Sequence, residues 1–154
     1  MVQPNFVAGY IVDSTSQSEP LFLLLRRSFE SYLPGIWQMV TGKLNQDESA
    51  SSAIRREIFE ETGLVCKDIY NVDVTMFYDQ SKKSIAFSAN FCTFANCTQP
   101  ITIASNEHDQ YRWCTLSESL ELLAFPSQKE TLQFIHKWFV LKNIHSVNLS
   151  KEVY

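Results

Sequence analysis

The stretch from Gly42 to Leu64, GKLNQDESASSAIRREIFEETGL, constrains this chain more than any other. Its second half predicts a helix from Ser49 to Glu61. Ala50, Ala53, Ile54 and Ile58 recur there at three- and four-residue spacing and so share one face. Asp47 or Ser49 is available as N-cap, accepting from a first-turn amide that has no partner within the helix. Thr62-Gly63 closes the segment, since glycine enters the left-handed conformation past a helix end without steric cost. No proline or β-branched run interrupts the interval, so local preference and pattern agree.

The acidic residues of that helix run against local rules. Glu57, Glu60 and Glu61 stand at i, i+3 and i+4, which puts their Cβ atoms about 5–6 Å apart on one patch. Like charges at that spacing cost about 0.2–0.5 kcal/mol per pair, and the C-terminal end of a helix dipole disfavours anions. A solvated acidic face with Arg55 and Arg56 as counter-charges is one explanation. The other is a divalent cation: Mg²⁺ takes hard carboxylate oxygens and keeps positions open for water and phosphate.

The full spacing is Gly42, five residues, Glu48, seven residues, then Arg56-Glu57-Ile58-Phe59-Glu60-Glu61-Thr62-Gly63-Leu64. It resembles the Nudix box, the signature of the Nudix hydrolases, at nine fixed or class-restricted positions within twenty-three residues. The resemblance implies an α/β Nudix fold, a mixed β-sheet sandwiched between α-helices, with residues 1–154 forming one domain. It also implies a loop–helix–loop that holds divalent metal at a diphosphate. Carried across, Glu57, Glu60 and Glu61 become metal ligands, Glu48 an auxiliary ligand, and Gly42 part of the same metal site. Arg56 becomes an orienting partner for a carboxylate. The cofactor implied is Mg²⁺, with Mn²⁺ able to substitute. Two candidates exist for the general base: Glu60 or Glu61, if not committed to metal, and Glu107, on a loop outside the box. Asn45-Gln46-Asp47 departs from the glycine often found there, which touches loop shape and leaves the ligand set intact.

Flanking residues narrow the resemblance. Trp37-Gln38-Met39-Val40-Thr41-Gly42, followed by Glu107-His108-x-x-Tyr111-x-Trp113, looks like the dihydroneopterin triphosphate pyrophosphatase and dATP pyrophosphohydrolase branch. The implied activity is Mg²⁺-dependent cleavage of a nucleoside or pterin triphosphate to the monophosphate and pyrophosphate. Two enzymatic alternatives share the metal helix, a dinucleoside polyphosphate hydrolase and an enzyme that sanitises oxidised nucleotides. A non-catalytic nucleotide-sensing domain is the alternative from another class, and it would be expected to lose box carboxylates that this chain keeps. Homodimers are common in the family.

Composition sets outer limits. A length of 154 residues suits one domain able to bury about two-thirds of its unfolded surface. A net charge of −4 argues against a long nucleic-acid footprint, but metal ions can carry a polyphosphate onto an acidic site. Four cysteines without a C-x-x-C pair, and three scattered histidines, argue against zinc. Cys92 reads as a reduced buried thiol. With no signal peptide and an N-terminal FVAGYIV too short to span a bilayer, the expectation is a cytoplasmic protein without membrane contact.

In order along the chain, Phe6–Asp13 and Leu21–Arg26 read as strands of a hairpin with a longer loop. Arg26 and Arg27 at the end of the second are candidates for substrate phosphates, as arginine's planar fork suits phosphate oxygens. Ser28–Gly35 is an irregular loop, and Trp37–Gly42 a short strand entering the box. Trp37, either a core anchor or a stacking platform, and Lys43 complete the substrate-binding candidates. Val65–Asn71 reads as extended, Val72–Tyr78 and Ser84–Phe94 as strands, with Phe77 and Tyr78 expected in the core. Ile101–Ile103 and Gln110–Cys114 are further expected strands. Glu118–Ala124 reads as a helix capped by Ser117, and Ser127–Leu141 as a longer one with a core stripe of Leu132, Ile135, Trp138 and Phe139. The tail from Asn143 is weakly patterned.

Overall fold

The apolar segment Phe6–Asp13 forms β1, the strand around which the sheet is assembled. The computed structural model describes residues 2–16 and 18–142, so the tail from Asn143 lies outside the described residues. The remaining strands are β2 (Leu21–Arg27), β3 (Trp37–Gln38), β4 (Val40–Lys43), β5 (Tyr70–Asp79), β6 (Ser84–Phe94) and β7 (His108–Cys114). The helices are α1 (Ala50–Thr62), α2 (Leu116–Leu122) and α3 (Pro126–Phe134), the last running on into a π-helical turn at Ile135–Leu141. No helix of the described residues is long and apolar enough to cross a membrane.

β1 and β2 are antiparallel neighbours only at Val12↔Phe22 and Asp13↔Leu21. Beyond that point they diverge. The expected single strand Trp37–Gly42 fills the gap as two short pieces offset at Met39. β3 pairs with β2 through Leu25↔Gln38 and Arg26↔Trp37, and β4 with β1 from Phe6↔Lys43 to Gly9↔Val40. On its other edge β1 runs parallel to β6, which carries β5 antiparallel. On the far edge of β2 lies β7, antiparallel, with a register shift between Arg26 and Arg27 that leaves Asp109 as an extra residue. Such a bulge bends a strand and re-aims the side chains beside it.

Both faces of this sheet are covered, which explains the nearly continuous apolar runs in β1 and β2. On one face α1 sets Ala53, Ile54 and Ile58 against Val7, Ile11, Leu23, Leu25, Val40 and Phe91. On the other, Leu123, Leu132, Ile135 and Phe139 pack on Ala8, Tyr10, Val12, Phe22, Leu24 and Cys92. This is the mixed sheet between helices that the sequence implied. All four cysteines are free thiols, with Cys92 buried.

Four local expectations are corrected. Ile101–Ile103 is not a strand: Thr102 donates its amide to the carbonyl of Thr62 at the end of α1 (2.9 Å), while Ile101 and Ile103 pack on the α1-side core. The cap of α2 is Thr115 and not Ser117, because Thr115 and Glu118 complete a reciprocal capping box. The long C-terminal helix widens after Phe134, and its stripe buries Leu132, Ile135 and Phe139 but leaves Trp138 only half-buried. Phe77 and Tyr78 are exposed, because β5 is an edge strand whose outer portion no helix among the described residues covers.

Gly9 sets how closely α1 approaches the sheet. A Cβ there would lie 2.8 Å from Ile54 Cδ1 and 3.0 Å from Ile58 Cδ1. Gly9→Val is therefore expected to push the helix outward and cost about 1–3 kcal/mol, read as a lowered urea midpoint with an unchanged m-value.

Candidate active site

The site is built on the C-terminal half of α1, whose ends are well secured. Ser49 Oγ accepts from the Ser52 amide (3.2 Å), and Gly63, at φ 75°, donates its amide to the Phe59 carbonyl (2.8 Å). Thr62 Oγ1 donates back to the Ile58 carbonyl and accepts from the Leu64 amide, tying the chain as it leaves the helix.

Arg56 relieves the like-charge conflict at Glu57 and Glu60. Its Nε and Nη2 each donate to Glu48 at 2.9 Å, one to each carboxylate oxygen, while Nη1 reaches Glu57 (2.7 Å) and Glu60 (3.2 Å). Nη2 also donates to the Lys43 carbonyl (3.1 Å), joining helix to β4. Arg55 plays no part in this cluster; it donates to the Cys66 carbonyl. Hydrogen bonds from Arg56 and the Asn45 amide hold the Glu48 carboxyl below its usual range. Glu57 goes the other way, raised chiefly by burial although Arg56 opposes the shift. Its carboxylate lies directly over Gly42: a Cβ on Gly42 would sit 2.0 Å from Glu57 Cδ. The glycine is thus a cradle for one acid.

Glu61 faces away from Arg56, towards the start of β7. There the chain turns through a tight loop in which the Glu107 and His108 amides both donate to the Ala104 carbonyl. Ser28 clamps that loop from β2, its amide on the Glu107 carbonyl and its hydroxyl on that of Asn106. Ligand atoms of Glu61, Glu107 and His108 consequently all lie within 4.8 Å of one another. Glu61 is 2% exposed and His108 1%. Glu61 Oε2 and His108 Nδ1 are 4.0 Å apart, and neither has a hydrogen-bond partner among the described residues. Burial, then the charges of Glu107 and Glu57, push the Glu61 carboxyl up to about 9; Arg27 pulls weakly the other way. Burial, aided by Arg27, pushes the His108 imidazole down to about 4.

The residues expected from sequence are thus distributed in two groups. Gly42, Glu48, Arg56, Glu57 and Glu60 form one cluster, and Glu61 with Glu107 forms a second beside it. Arg27 acts on Glu61 through its charge, while its own Nε donates to the Tyr32 carbonyl. Arg26 is paired with Asp109 (2.7 Å) and lies 6.0 Å from the centre of the Trp37 ring. Trp37 is half-buried and packs on the core opposite α1. The Lys43 ammonium sits 5.9 Å from the centre of the Phe6 ring. His108 and Gln38 were not foreseen. Both stand in the flanking segments that carry the family resemblance, but nothing in the spacing ties either to Glu61.

Oxygen donors dominate this arrangement, with a glycine that leaves room for one carboxylate and a buried carboxylate oxygen without a partner. It fits a hard divalent cation, which Glu57, Glu60, Glu61 and Glu107 could hold.

Two outcomes test this geometry. Unfolded, Glu61 titrates near 4.5, and in the metal-free fold near 9. Across that window the folded chain holds one more proton, so stability falls as pH rises, by at most about 1.4 kcal/mol per pH unit. His108 works in the opposite sense between about 4 and 6.5, where the unfolded chain holds the extra proton and stability falls as pH drops. The two cancel between 4.5 and 6.5, and the decline due to Glu61 emerges above 6.5. Glu61→Gln should remove that alkaline decline and stabilise the metal-free protein at pH 8, as read by urea unfolding in chelator. Gly42→Ala should retain the fold, because only the Glu57 side chain, from Cγ outward, must swing aside and no backbone atom is among the nearest. It is expected to weaken Mn²⁺ binding about 10–100-fold, measured by electron paramagnetic resonance titration.

Comparison with known proteins identifies the family and agrees on the fold. The model of the NUDIX domain matches residues 3–135. Among curated proteins, the chain is 29% identical over 118 residues to an octanoyltransferase of Myxococcus xanthus, and 30% identical over 103 residues to the chloroplastic Nudix hydrolase 19 of Arabidopsis thaliana. These alignments cover 75% and 66% of this chain but only 32% and 23% of the relatives, so it spans a third or less of their length. Among solved structures, a C. elegans Ap4A hydrolase in a binary complex superposes with a TM-score of 0.74 at 17% identity, covering 87% of this chain and 96% of that one. The E. coli dihydroneopterin triphosphate pyrophosphohydrolase gives 0.72 at 19% identity, covering 88% and 99%. With the box helix, the sheet around it and the domain match in agreement, the chain belongs to the NUDIX domain family.

Proposed function

We propose that this protein is a divalent-metal-dependent hydrolase of phosphoric anhydrides. It would cleave a nucleoside triphosphate or dihydroneopterin triphosphate to the monophosphate and pyrophosphate. The observation that carries the reading is Glu61, a carboxylate kept in a buried, strongly perturbed state beside Glu107 and the Arg56-centred acids. Strongly shifted groups in such settings cluster at functional sites. The substrate class is supported by the flanking Trp37–Gly42 and Glu107–Trp113 segments and by the dihydroneopterin triphosphate pyrophosphohydrolase among its structural relatives.

A bound divalent cation would neutralise phosphate oxygens and lower the pKa of a nearby water. The chain's own residues do the rest. Arg56 fixes the rotamers of Glu48, Glu57 and Glu60, so the acidic turn is organised before substrate arrives. The water oxygen bonds to phosphorus as the bridging oxygen leaves with the departing phosphate group. The proton of that water passes to a carboxylate, for which Glu107 and Glu61 are the adjacent candidates. Arg27, beside Glu61, supplies positive charge for the developing oxyanion.

A dinucleoside polyphosphate hydrolase is the second reading, favoured by the similarity to the Ap4A hydrolase. ³¹P NMR of products across nucleoside triphosphates, dihydroneopterin triphosphate and dinucleoside polyphosphates separates the two, since the first reading expects pyrophosphate from a triphosphate. Glu60→Gln is expected to fold normally and lose at least about 10²-fold in turnover. Hydrolysis by that variant at the wild-type rate would refute the role of Glu60. Binding of Mg²⁺-nucleotide by the wild-type protein without turnover would instead favour a sensing domain.

A further inference from the structure

We propose that this chain forms a homodimer in which the β5 strands of two copies pair antiparallel about a two-fold axis centred on Thr75, joining the two sheets into one. The inference draws on the open edge of the sheet and is independent of the proposed activity.

β5 ends the strand order β3-β2-β1-β6-β5 and has no strand on its outer side among the described residues. The direction of its backbone groups follows from its neighbour. Phe87 of β6 donates its amide to Asn5 Oδ1 and accepts the Asn5 amide at its carbonyl, both at 3.0 Å and both on the β1 side. Met76 stands opposite Phe87. Opposed residues of an antiparallel pair either exchange both bonds or both point away, so the Met76 amide and carbonyl face the open edge. With the two-residue period of a strand, those of Val74 and Tyr78 do the same.

The side chains along this edge are those of an interface. Val74, Met76 and Tyr78 share a face with Ala89, Phe87 and Ile85 opposite them. The α1-side core takes in Ala89 and Phe91 of β6 but no residue of β5, so Val74, Met76, Tyr78 and Ile85 are left 53–67% exposed. Edge strands are commonly blunted by proline, lysine or shortness, yet β5 runs ten residues without proline, lysine or arginine. Its inner acid, Asp73, is turned to the other face, where it accepts from Thr131 Oγ1 (3.0 Å) and Asn90 Nδ2 (2.6 Å).

A second copy fits this edge in register and in charge. With the axis on Thr75, Val74 of each copy faces Met76 of the other, and their outward amides and carbonyls meet. The β5–β6 turn, with Asp79, Lys82 and Lys83, then lies beside the end of the other copy that holds Lys67, Asp68 and Asp73. One excess positive charge there meets one excess negative charge. An axis on Met76 would instead set Asp79 opposite Asp73, and like charges directly opposed destabilise a sheet.

Sedimentation velocity of the full chain in reductant, over a concentration series, is expected to show a monomer–dimer equilibrium. Met76→Lys should fold as wild type, because Met76 is 67% exposed. It should raise the dimer dissociation constant at least about 30-fold, the scale of losing a central interface residue. Cross-linking reads the register. Thr75 faces its own copy across the axis in a pair whose Cα atoms stand about 4.5 Å apart, within reach of a disulfide, whereas Phe77 lies about 14 Å from its copy. Under mild oxidation Thr75→Cys should therefore give a covalent dimer on non-reducing gels. Phe77→Cys and the wild type, with its four native thiols, should not. A wild-type protein that stays monomeric throughout overturns the proposal. So does a dimer that Met76→Lys leaves intact, or cross-linking by Phe77→Cys equal to that by Thr75→Cys. Should Thr75→Cys fail to fold, the Met76→Lys result decides alone.

Discussion

One guanidinium makes the acidic turn of α1 tenable. Arg56 spreads its donors over Glu48, Glu57 and Glu60 and anchors the whole to the Lys43 carbonyl. Its planar fork can do this because several N–H groups point in fixed, divergent directions, which an ammonium on a flexible stem cannot reproduce. Without it, Glu57 and Glu60 would stand against each other and against the helix dipole, with Glu48 beside them. With it, the same three become a pre-arranged surface of oxygen donors.

Arg56 does not reach Glu61, which is left without a guanidinium partner among the described residues. Glu61 is the most deeply buried acid of α1, and the charge that acts on it most, that of Glu107, is of like sign. Burial without a counter-ion favours the neutral acid. The metal-free fold therefore carries a group whose ionised form it disfavours, while a cation would reverse the sign of that interaction.

The sheet brings the second half of the site to the helix. Because β1 and β2 separate after one end of their pairing, β3 and β4 enter between them and deliver Gln38, Thr41 and Gly42 beneath α1. Because β7 bulges at Asp109, Arg26 acquires a partner there while Glu107 and His108 are presented at the strand's start. Ser28 then locks the Glu107 loop to β2.

The amino-acid sequence alone determined the helix, its Ser49 and Gly63 ends, the acidic patch and the two-faced apolar strands. All of these are short-range: capping, three- and four-residue spacing and side-chain alternation act within a few positions of one another. It also carried the resemblance that placed Glu107 beside the box. What it did not contain was that His108 faces Glu61 and that Gln38 lies behind His108. His108 stands forty-seven positions from Glu61 and Gln38 twenty-three, and their meeting depends on the Arg26/Arg27 register shift and the offset at Met39. Nor could it separate an exposed Phe77 and Tyr78 from a buried pair, since a strand's alternation does not say where the covering helix stops. Only the tertiary structure decided these points, because strand register and layer coverage arise from contacts between segments far apart in the chain.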